Sequence, residues 1–170
     1  LKIQQVYSKT AHDVKESTDI NRVVSDILTM QESALNKREI SVKTDLLPNP
    51  PRIRVSKAKL SQVLVNLIKN AYESIEERSA VTGPRKIAVR THLSDKGLVV
   101  DIRDTGIGIA PELLKHISVT GRSTKGSTGF GLNYCRLFME QIGGKLTMDS
   151  QQGEGTTVTL AFPVAKAPGA

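Results

Sequence analysis

The spacing of hydrophobic positions predicts two strong amphipathic helices. Residues 20–37 carry apolar side chains at intervals of three and four, with Asp19 in position to cap the first turn. Residues 56–78 show the same period over a longer stretch, and Ser56 is the expected N-cap. Both segments therefore present one apolar face to a core.

Three further helical segments are predicted with weaker patterns. Residues 1–15 carry a sparse helical stripe, and residues 129–142 form a clearer one that Gly143-Gly144 ends. Between them, residues 104–128 are rich in Gly, Ser and Thr, which predicts a long loop with one short helix. A loop of this length in a compact domain is usually functional.

Alternating apolar and polar residues predict six strands. They cover residues 40–46, 53–55, 86–93, 98–103, 145–148 and 156–162. The turns Asp95-Lys96-Gly97 and Gln152-Gly153-Glu154-Gly155 each join two of these strands into an antiparallel hairpin. The order of elements predicts an α+β fold, a two-layer α/β sandwich with a mixed, largely antiparallel sheet and helices on one face.

The domain organisation follows from the same pattern. Residues 18–163 are expected to form one domain, and residues 1–17 are expected to be the end of an upstream helix or linker. Residues 164–170 are expected to be a disordered tail. Because the chain begins at Leu1 inside a helical pattern, we interpret it as a fragment of a longer protein.

Composition excludes several classes of function. The net charge is +7, but no run of five like charges occurs and only 4% of residues are aromatic, so nucleic-acid binding is not expected. No apolar run approaches the ~20 residues that span a bilayer, so no membrane contact by this fragment is expected. The single cysteine, Cys135, is predicted to be a buried, inert thiol, and it fits a cytoplasmic location. A membrane-anchored parent protein remains compatible with this composition.

Polar residues interrupt the second long helix at regular intervals. Asn66, Asn70 and Glu73 recur at i, i+4 and i+7, so they share one stripe. Asn disfavours helix interiors, and such local conflicts often mark a functional site. An amide oxygen is a suitable ligand for Mg²⁺, which takes most of its shell from water and substrate phosphates. Two solvated surface Asn residues are the alternative explanation.

Two glycine-containing motifs follow. The first, residues 104–109 (DTGIGI), comes directly after a strand, and an ionised Asp104 only accepts hydrogen bonds, as the amino group of adenine requires. The second, residues 126–132 (GSTGFGL), leads into a helix and predicts an anion site, with Lys125 placed to meet phosphate. A plain turn is the alternative for the first motif. The second matches neither a Walker A loop nor a dinucleotide-binding fingerprint.

The order and spacing of the three motifs resemble the N, G1 and G2 boxes of the ATP-binding domains of histidine kinases, type II topoisomerases, Hsp90 and MutL. The resemblance covers residues 37–163, and the closing segment 143–163 is similar to the last hairpin of sensor histidine kinases. It implies a Bergerat-type ATP-binding fold. Residues 123–125 resemble a lid segment of nitrogen-regulator-type kinases.

The resemblance also implies a role for individual residues. Asn70 matches the Mg²⁺ ligand, Asp104 the adenine-binding residue, and Thr157 a strand residue that supports Asp104, while residues 109–128 match the mobile lid. Asn66 and Lys125 match catalytic positions near the phosphates. The full set of nucleotide-binding positions expected is Asn66, Asn70, Glu73, Asp104, Gly106, Gly108, Ile109, Thr124, Lys125, Gly129, Phe130, Gly131, Leu132 and Thr157.

The chain departs from the family pattern at two places. The lid region of residues 109–128 contains no Phe, although such lids usually carry one. Glu73 occupies a position where some kinases carry a Lys near the phosphates. These differences concern the order of the lid and the phosphate contacts.

Asn66 favours a kinase over a hydrolase. The ATPases of the superfamily carry a Glu four residues before the metal-binding Asn, and this Glu activates water as a general base. Asn66 cannot accept a proton, so the γ-phosphate is expected to be kept for transfer to a protein histidine. Because none of His12, His92 and His116 fits an acceptor motif, the acceptor is expected on a dimerisation domain upstream of Leu1.

The sequence therefore predicts a histidine kinase catalytic domain. Its cofactors would be ATP and Mg²⁺, and its partners its own phosphoacceptor domain and a response regulator in two-component signal transduction. Two alternatives stay open: a serine kinase of the anti-sigma type, and a nucleotide-binding module that signals without catalysis.

Overall fold

The computed structural model describes residues 14–78, 83–120 and 129–164. In chain order, the elements in these ranges are β1 (Lys15–Thr18), α1 (Ile20–Lys37), β2 (Ser41–Asp45), β3 (Ile53–Ser56), α2 (Lys57–Glu77), β4 (Lys86–Ser94), β5 (Gly97–Asp104), α3 (Pro111–Thr120), α4 (Gly129–Gln141), β6 (Lys145–Gln151) and β7 (Gly155–Phe162).

Five of the strands form one mixed sheet in the order β2-β4-β5-β7-β6. Only the β2–β4 pair is parallel, and the other three pairs are antiparallel. The remaining strands, β1 and β3, form a separate antiparallel ribbon. The prediction of a mixed, largely antiparallel sheet is therefore confirmed.

The two faces of the sheet differ in polarity, and this difference fixes the layering. Side chains such as Ile87, Val100 and Leu160 are buried on one face, where α2 packs across the central strands. The opposite face carries polar side chains, including Asp101, which accepts hydrogen bonds from His92 and Thr159. A polar face needs no second helical layer, so the helices lie on one side only, as predicted.

The two long helices begin and end almost where the sequence predicts. The Asp19 carboxylate accepts hydrogen bonds from the backbone N–H groups of Asn21 and Arg22 at the start of α1. The Ser56 hydroxyl accepts from the N–H of Lys59 at the start of α2. Such caps satisfy donors that the first helical turn leaves unpaired.

The β1 strand was not predicted. The sequence predicts a helical stripe over residues 1–15 and a helix end or linker up to residue 17, but Lys15–Thr18 pairs with β3. The Arg52 guanidinium donates to the Ser17 hydroxyl and carbonyl. The predicted domain boundary after residue 17 therefore falls inside a strand. Residues 1–13 lie outside the described residues, as do residues 165–170 of the predicted tail, residues 164–170; Val164 is described and packs against the core. Among the helices that the structure describes, none is long and apolar enough to cross a membrane.

Candidate functional site

A cavity of about 150 Å³ opens between α2, the sheet and α3. Its floor is apolar, and polar side chains project from α2 and from the end of β5. The lining residues are Leu67, Asn70, Ala71, Glu73, Ser74, Glu77, Ile102, Asp104, Ile107, Gly108, Ile109, Leu113, Ile117, Leu132, Met148, Thr156 and Val158. A largely apolar pocket with a few convergent polar groups is the usual form of a small-molecule site.

The α2 helix supplies one polar wall. Asn70, Glu73, Ser74 and Glu77 follow one another at intervals of three, one and three, which places them on neighbouring positions of one helical face. Glu73 also pairs with Lys69, with 3.7 Å between the Lys69 Nζ and a Glu73 carboxylate oxygen. The opposite face of α2 is buried in the core, so these polar groups are held by a rigid element.

Asp104 lies at the end of β5 and is the only carboxylate among the buried residues of the described chain, with 5% of its surface exposed. Its carboxylate accepts a 2.8 Å hydrogen bond from the N–H of Gly106, and further bonds from the Thr156 backbone and the Ser74 side chain. Burial raises the pKa of Asp104 from 3.8 to about 6, although these hydrogen bonds act in the opposite direction. An acceptor of this kind selects a ligand that offers a hydrogen-bond donor.

Packing explains the glycines after Asp104. A Cβ on Gly106 would collide with Ser74 of α2. Gly108 has φ +70°, and a Cβ there would collide with the carbonyl of Gln151 in the β6–β7 hairpin. The loop after β5 therefore lies in close contact with α2 and with the β6–β7 hairpin, and only glycine fits at positions 106 and 108.

Asn66 does not line the cavity. It lies one turn before Asn70, where its amide oxygen accepts a 3.1 Å hydrogen bond from Gln62 and its side chain faces Gly131 of α4. Cys135 of α4 is also in hydrogen-bond contact with Asn66. Cys135 is buried, as predicted, and burial raises its pKa to about 12, which disfavours the reactive thiolate form.

The prediction for Thr157 is wrong. Thr157 lies opposite Arg103 on the polar face of the sheet, whereas Thr156 lies opposite Asp104 and lines the cavity. Because side chains alternate between the two faces of a strand, a shift of one residue in the assignment moves the side chain to the wrong face.

The other predicted positions divide into three groups. Asn70, Glu73, Asp104, Gly108, Ile109 and Leu132 line the cavity, and Gly106 lies directly beside it. Gly129 and Phe130 begin α4. Thr124 and Lys125 lie outside the described residues, as does the rest of the segment 121–128.

Several cavity residues were missed by the sequence analysis. Ser74 lies on the stripe of Asn70 and Glu73, so the i+4 spacing was an available signal. Thr156 was missed because the role beside Asp104 was given to its neighbour Thr157. Leu113 and Ile117 lie on α3, in the segment for which the sequence predicts a long loop with one short helix. Ser150, which contacts Thr156 without lining the cavity itself, gave no signal, because only the folded hairpin brings the two residues together.

The chemistry of the cavity fits a hard divalent cation that is shared with a ligand. The described residues contain no group of three His, Cys, Asp or Glu side chains that would hold a metal by itself. Asn70 and Glu73 nevertheless offer an amide oxygen and a carboxylate at the same wall. Mg²⁺ binds in this way, through one or two protein oxygens, water and phosphate.

Comparison with known proteins agrees with this geometry. The family described as "Histidine kinase-, DNA gyrase B-, and HSP90-like ATPase" matches residues 55–166, about two thirds of the chain. The chain therefore belongs to this family. The predicted fold and the predicted family are both confirmed.

The relatives with similar sequences include sensor histidine kinases. The chain is 32% identical over 157 residues to the sensor histidine kinase ZraS of Escherichia coli K12, covering 92% of this chain and 32% of that protein. It is 27% identical over 162 residues to sporulation kinase D of Bacillus subtilis, covering 94% of this chain and 31% of that protein. The chain thus spans about a third of the length of the curated relatives it matches.

Solved structures of histidine kinases share the fold. The catalytic domain of histidine kinase ThkA matches with a TM-score of 0.74 at 23% identity, covering 88% of this chain and 95% of that one. Full-length ShkA in complex with AMPPNP matches with a TM-score of 0.73 at 22% identity, covering 91% of this chain and 32% of that one.

Proposed function

We propose that the chain is the ATP-binding catalytic domain of a sensor histidine kinase, which transfers the γ-phosphate of ATP to a histidine on a dimerisation domain outside these 170 residues. The observation that carries the proposal is the buried carboxylate of Asp104 in a largely apolar cavity that Asn70 of α2 also lines. Membership of the ATPase family and the sensor kinases among the relatives support it.

The apolar part of the cavity suits adenine. Ile102, Met148 and Val158 line its sheet side, and Leu113 and Ile117 line its α3 side. These side chains would enclose the base while Asp104 accepts a hydrogen bond from its exocyclic amino group. Guanine places a carbonyl oxygen at that position, which would face the carboxylate, so the geometry favours adenine.

The phosphates would extend from the base towards Asn70. Mg²⁺ would be held by Asn70 with Glu73 beside it, and when bound it would neutralise part of the phosphate charge. The described cavity lining contains no Lys or Arg, while three carboxylates belong to it, so the nucleotide would depend strongly on the cation. Lys125 and the N-terminus of α4 are the expected further contributors.

Asn66 carries the argument for transfer rather than hydrolysis. Its neutral amide lies one turn from Asn70, accepts a hydrogen bond from Gln62 and faces Gly131 of α4. An amide cannot take a proton from water, so the bound γ-phosphate would persist until an imidazole nitrogen attacks it. A response regulator would then receive the phosphoryl group, and the structure of ThkA with its response regulator TrrA shows such a partner for a protein of similar fold.

Phosphotransfer to a supplied acceptor tests the proposal. The chain is mixed with labelled ATP, Mg²⁺ and the dimerisation domain of a related sensor kinase, and the label on the acceptor is followed. We expect an acid-labile, base-stable phosphoryl group, which is the signature of phosphohistidine, and its loss with EDTA. Asn66→Ala and Asn70→Ala are expected to lower the rate at least tenfold.

Asn36→Ala is the matched control, because Asn36 is an exposed residue of α1 that does not line the cavity. It should transfer at the wild-type rate. Acid-stable label would instead indicate a serine kinase. Nucleotide binding without any transfer to histidine or serine would support the non-catalytic module and contradict the kinase proposal.

A further inference from the structure

We propose that Ser150 is a positioning residue for adenine recognition, which acts through Thr156 and through the chain segment that enters α3. The proposal rests on the proposed function, since it concerns how the same cavity recognises the base. No feature of the sequence alone indicated Ser150, and it does not belong to the lining of the cavity.

Ser150 makes three contacts with one hydroxyl group. It lies on β6 directly opposite Thr156 of β7. Its Oγ accepts a 2.9 Å hydrogen bond from the N–H of Ile109 and lies 3.0 Å from the carbonyl oxygen of Gly155, to which it can donate. Its Oγ also lies 2.8 Å from the Thr156 Oγ1, where either oxygen can be the donor.

The proton count of this group restricts the arrangements. A serine hydroxyl has one proton and two lone pairs. The Ile109 N–H can only donate, so it occupies one lone pair permanently. In one arrangement, the Ser150 hydroxyl donates to the Gly155 carbonyl and accepts from the Thr156 hydroxyl. In the other, the Ser150 hydroxyl donates to the Thr156 hydroxyl, so that the Thr156 hydroxyl can donate into the cavity.

The second arrangement matches the edge of adenine. This edge offers a donor, the exocyclic amino group, beside an acceptor, the ring nitrogen N1. Asp104 supplies the acceptor for the amino group, and its contact with Thr156 uses the Thr156 backbone, so the Thr156 hydroxyl is not spent on Asp104. A Thr156 hydroxyl that accepts a hydrogen bond from Ser150 can itself donate towards N1, directly or through a water molecule.

The same oxygen also fixes a wall of the cavity. Ile109 leads through Ala110 into α3, whose Leu113 and Ile117 line the cavity. Without Ser150, the Ile109 N–H would lose its acceptor and Thr156 would lose the partner that orients it. Ser150 therefore couples the orientation of the N1 donor to the position of the α3 wall.

The test compares ADP with 1-deaza-ADP, which lacks the N1 acceptor, by calorimetric titration in the presence of Mg²⁺. We expect the wild-type chain to prefer ADP about tenfold, the usual effect of one well-placed hydrogen bond. Ser150→Ala should weaken ADP binding about tenfold or more and bring the ADP to 1-deaza-ADP ratio close to one. Ser150→Thr keeps the hydroxyl and should retain most of the preference.

Two further variants separate positioning from a general structural effect. Thr157→Ala removes a hydroxyl next to Thr156 on β7, but on the opposite face of the sheet. This variant should keep both the affinity for ADP and the preference for ADP over 1-deaza-ADP. In a double-mutant cycle, Ser150→Ala should not lower the preference further once Thr156→Ala is present, because both act through one hydrogen bond to N1.

The possible failures are distinguishable. If the wild-type chain binds neither nucleotide, the proposed function fails and this inference fails with it. If the wild type prefers ADP and Ser150→Ala keeps that preference, the inference alone is overturned. A Ser150→Ala variant that weakens both nucleotides equally would show a purely structural role and would also overturn it.

Discussion

Burial of Asp104 affects ligand binding and folding in opposite directions. A carboxylate that water does not solvate is a strong acceptor for a ligand donor, and this favours binding. The same lack of solvation disfavours the charged form in the empty protein, which is why its pKa rises to about 6. The cavity thus holds an acceptor that the fold tolerates at a cost of about 3 kcal/mol at neutral pH, taking ~1.4 kcal/mol per pKa unit.

Replacing Asp104 with Asn should therefore stabilise the empty protein at neutral pH. The folded pKa of about 6 lies above the ordinary value of 3.8, so the carboxyl group favours the folded state at low pH and disfavours it as pH rises through 6. Thermal unfolding should show Asp104→Asn more stable than wild type by several degrees at pH 7.5. The difference should shrink as the pH falls towards 4.

Asp101→Asn provides the control for this prediction. Asp101 lies on the same strand but on the polar face, where it accepts hydrogen bonds from His92 and Thr159. Its substitution should not stabilise the protein. A lower melting temperature for Asp104→Asn than for wild type at pH 7.5 would contradict the account of Asp104.

Gly108 and Gly153 allow steric collision to be separated from backbone strain. Both have positive φ, +70° and +85°, but a Cβ on Gly108 would meet the Gln151 carbonyl whereas a Cβ on Gly153 would meet nothing within 4 Å. We expect Gly153→Ala to cost about 1–2 kcal/mol of unfolding free energy and Gly108→Ala clearly more. Urea denaturation of both variants measures the difference, and equal losses would show that the collision is relieved without cost.

Among the elements, β7 shows how far a sequence pattern can be trusted. The strand itself was predicted within one residue of its bounds, because alternation of apolar and polar residues reports the period. The same alternation places Thr156, and not Thr157, on the face of the apolar residues 158, 160 and 162. The role of Thr157 was implied by the family resemblance and not by this pattern, and the pairing with β5 shows that Thr156 lies beside Asp104.

Nucleotide affinity should follow this register. Thr156→Val removes a hydroxyl at the cavity and keeps the shape of the side chain, so we expect ADP binding to weaken about tenfold. Thr157→Val makes the same chemical change on the polar face and should leave affinity unchanged. Titration of both variants with ADP and Mg²⁺ checks this, and a larger loss for Thr157→Val would mean that the assigned face is wrong.

At the level of the whole molecule, the sequence was sufficient to predict the two-layer fold wherever the local pattern of an element also indicates its place in a layer. The helices α1 and α2 carry long apolar stripes and capping residues, and the hairpins carry glycine turns, so their order defined two layers. The β1 strand has no such signal: it is four residues long and its first three are exposed. Its pairing with β3 depends on the fold around it, which a local pattern does not contain.

The candidate site was predicted in the same uneven way. Residues on the long elements or directly after them, such as Asn70 and Asp104, were identified because a motif and a helix or strand agreed. Ser74 and Thr156 were missed although the helical stripe and the strand alternation offered a signal for them, whereas Ser150 was missed because only the folded hairpin brings it to Thr156. The cavity is assembled by α2, the β5 end, α3 and the β6–β7 hairpin, so it exists only in the complete fold.

The most direct test of the central claim is a calorimetric titration of the wild-type chain and of Asp104→Asn with AMPPNP and Mg²⁺. In the variant, the amide oxygen of the new side chain can still accept from the Gly106 N–H. The amide NH₂ group then points towards the adenine amino group, so that two hydrogen-bond donors face each other. The account predicts micromolar binding to the wild type and a loss of at least tenfold in the variant. Equal affinity in both proteins, or no binding to the wild type, would contradict it.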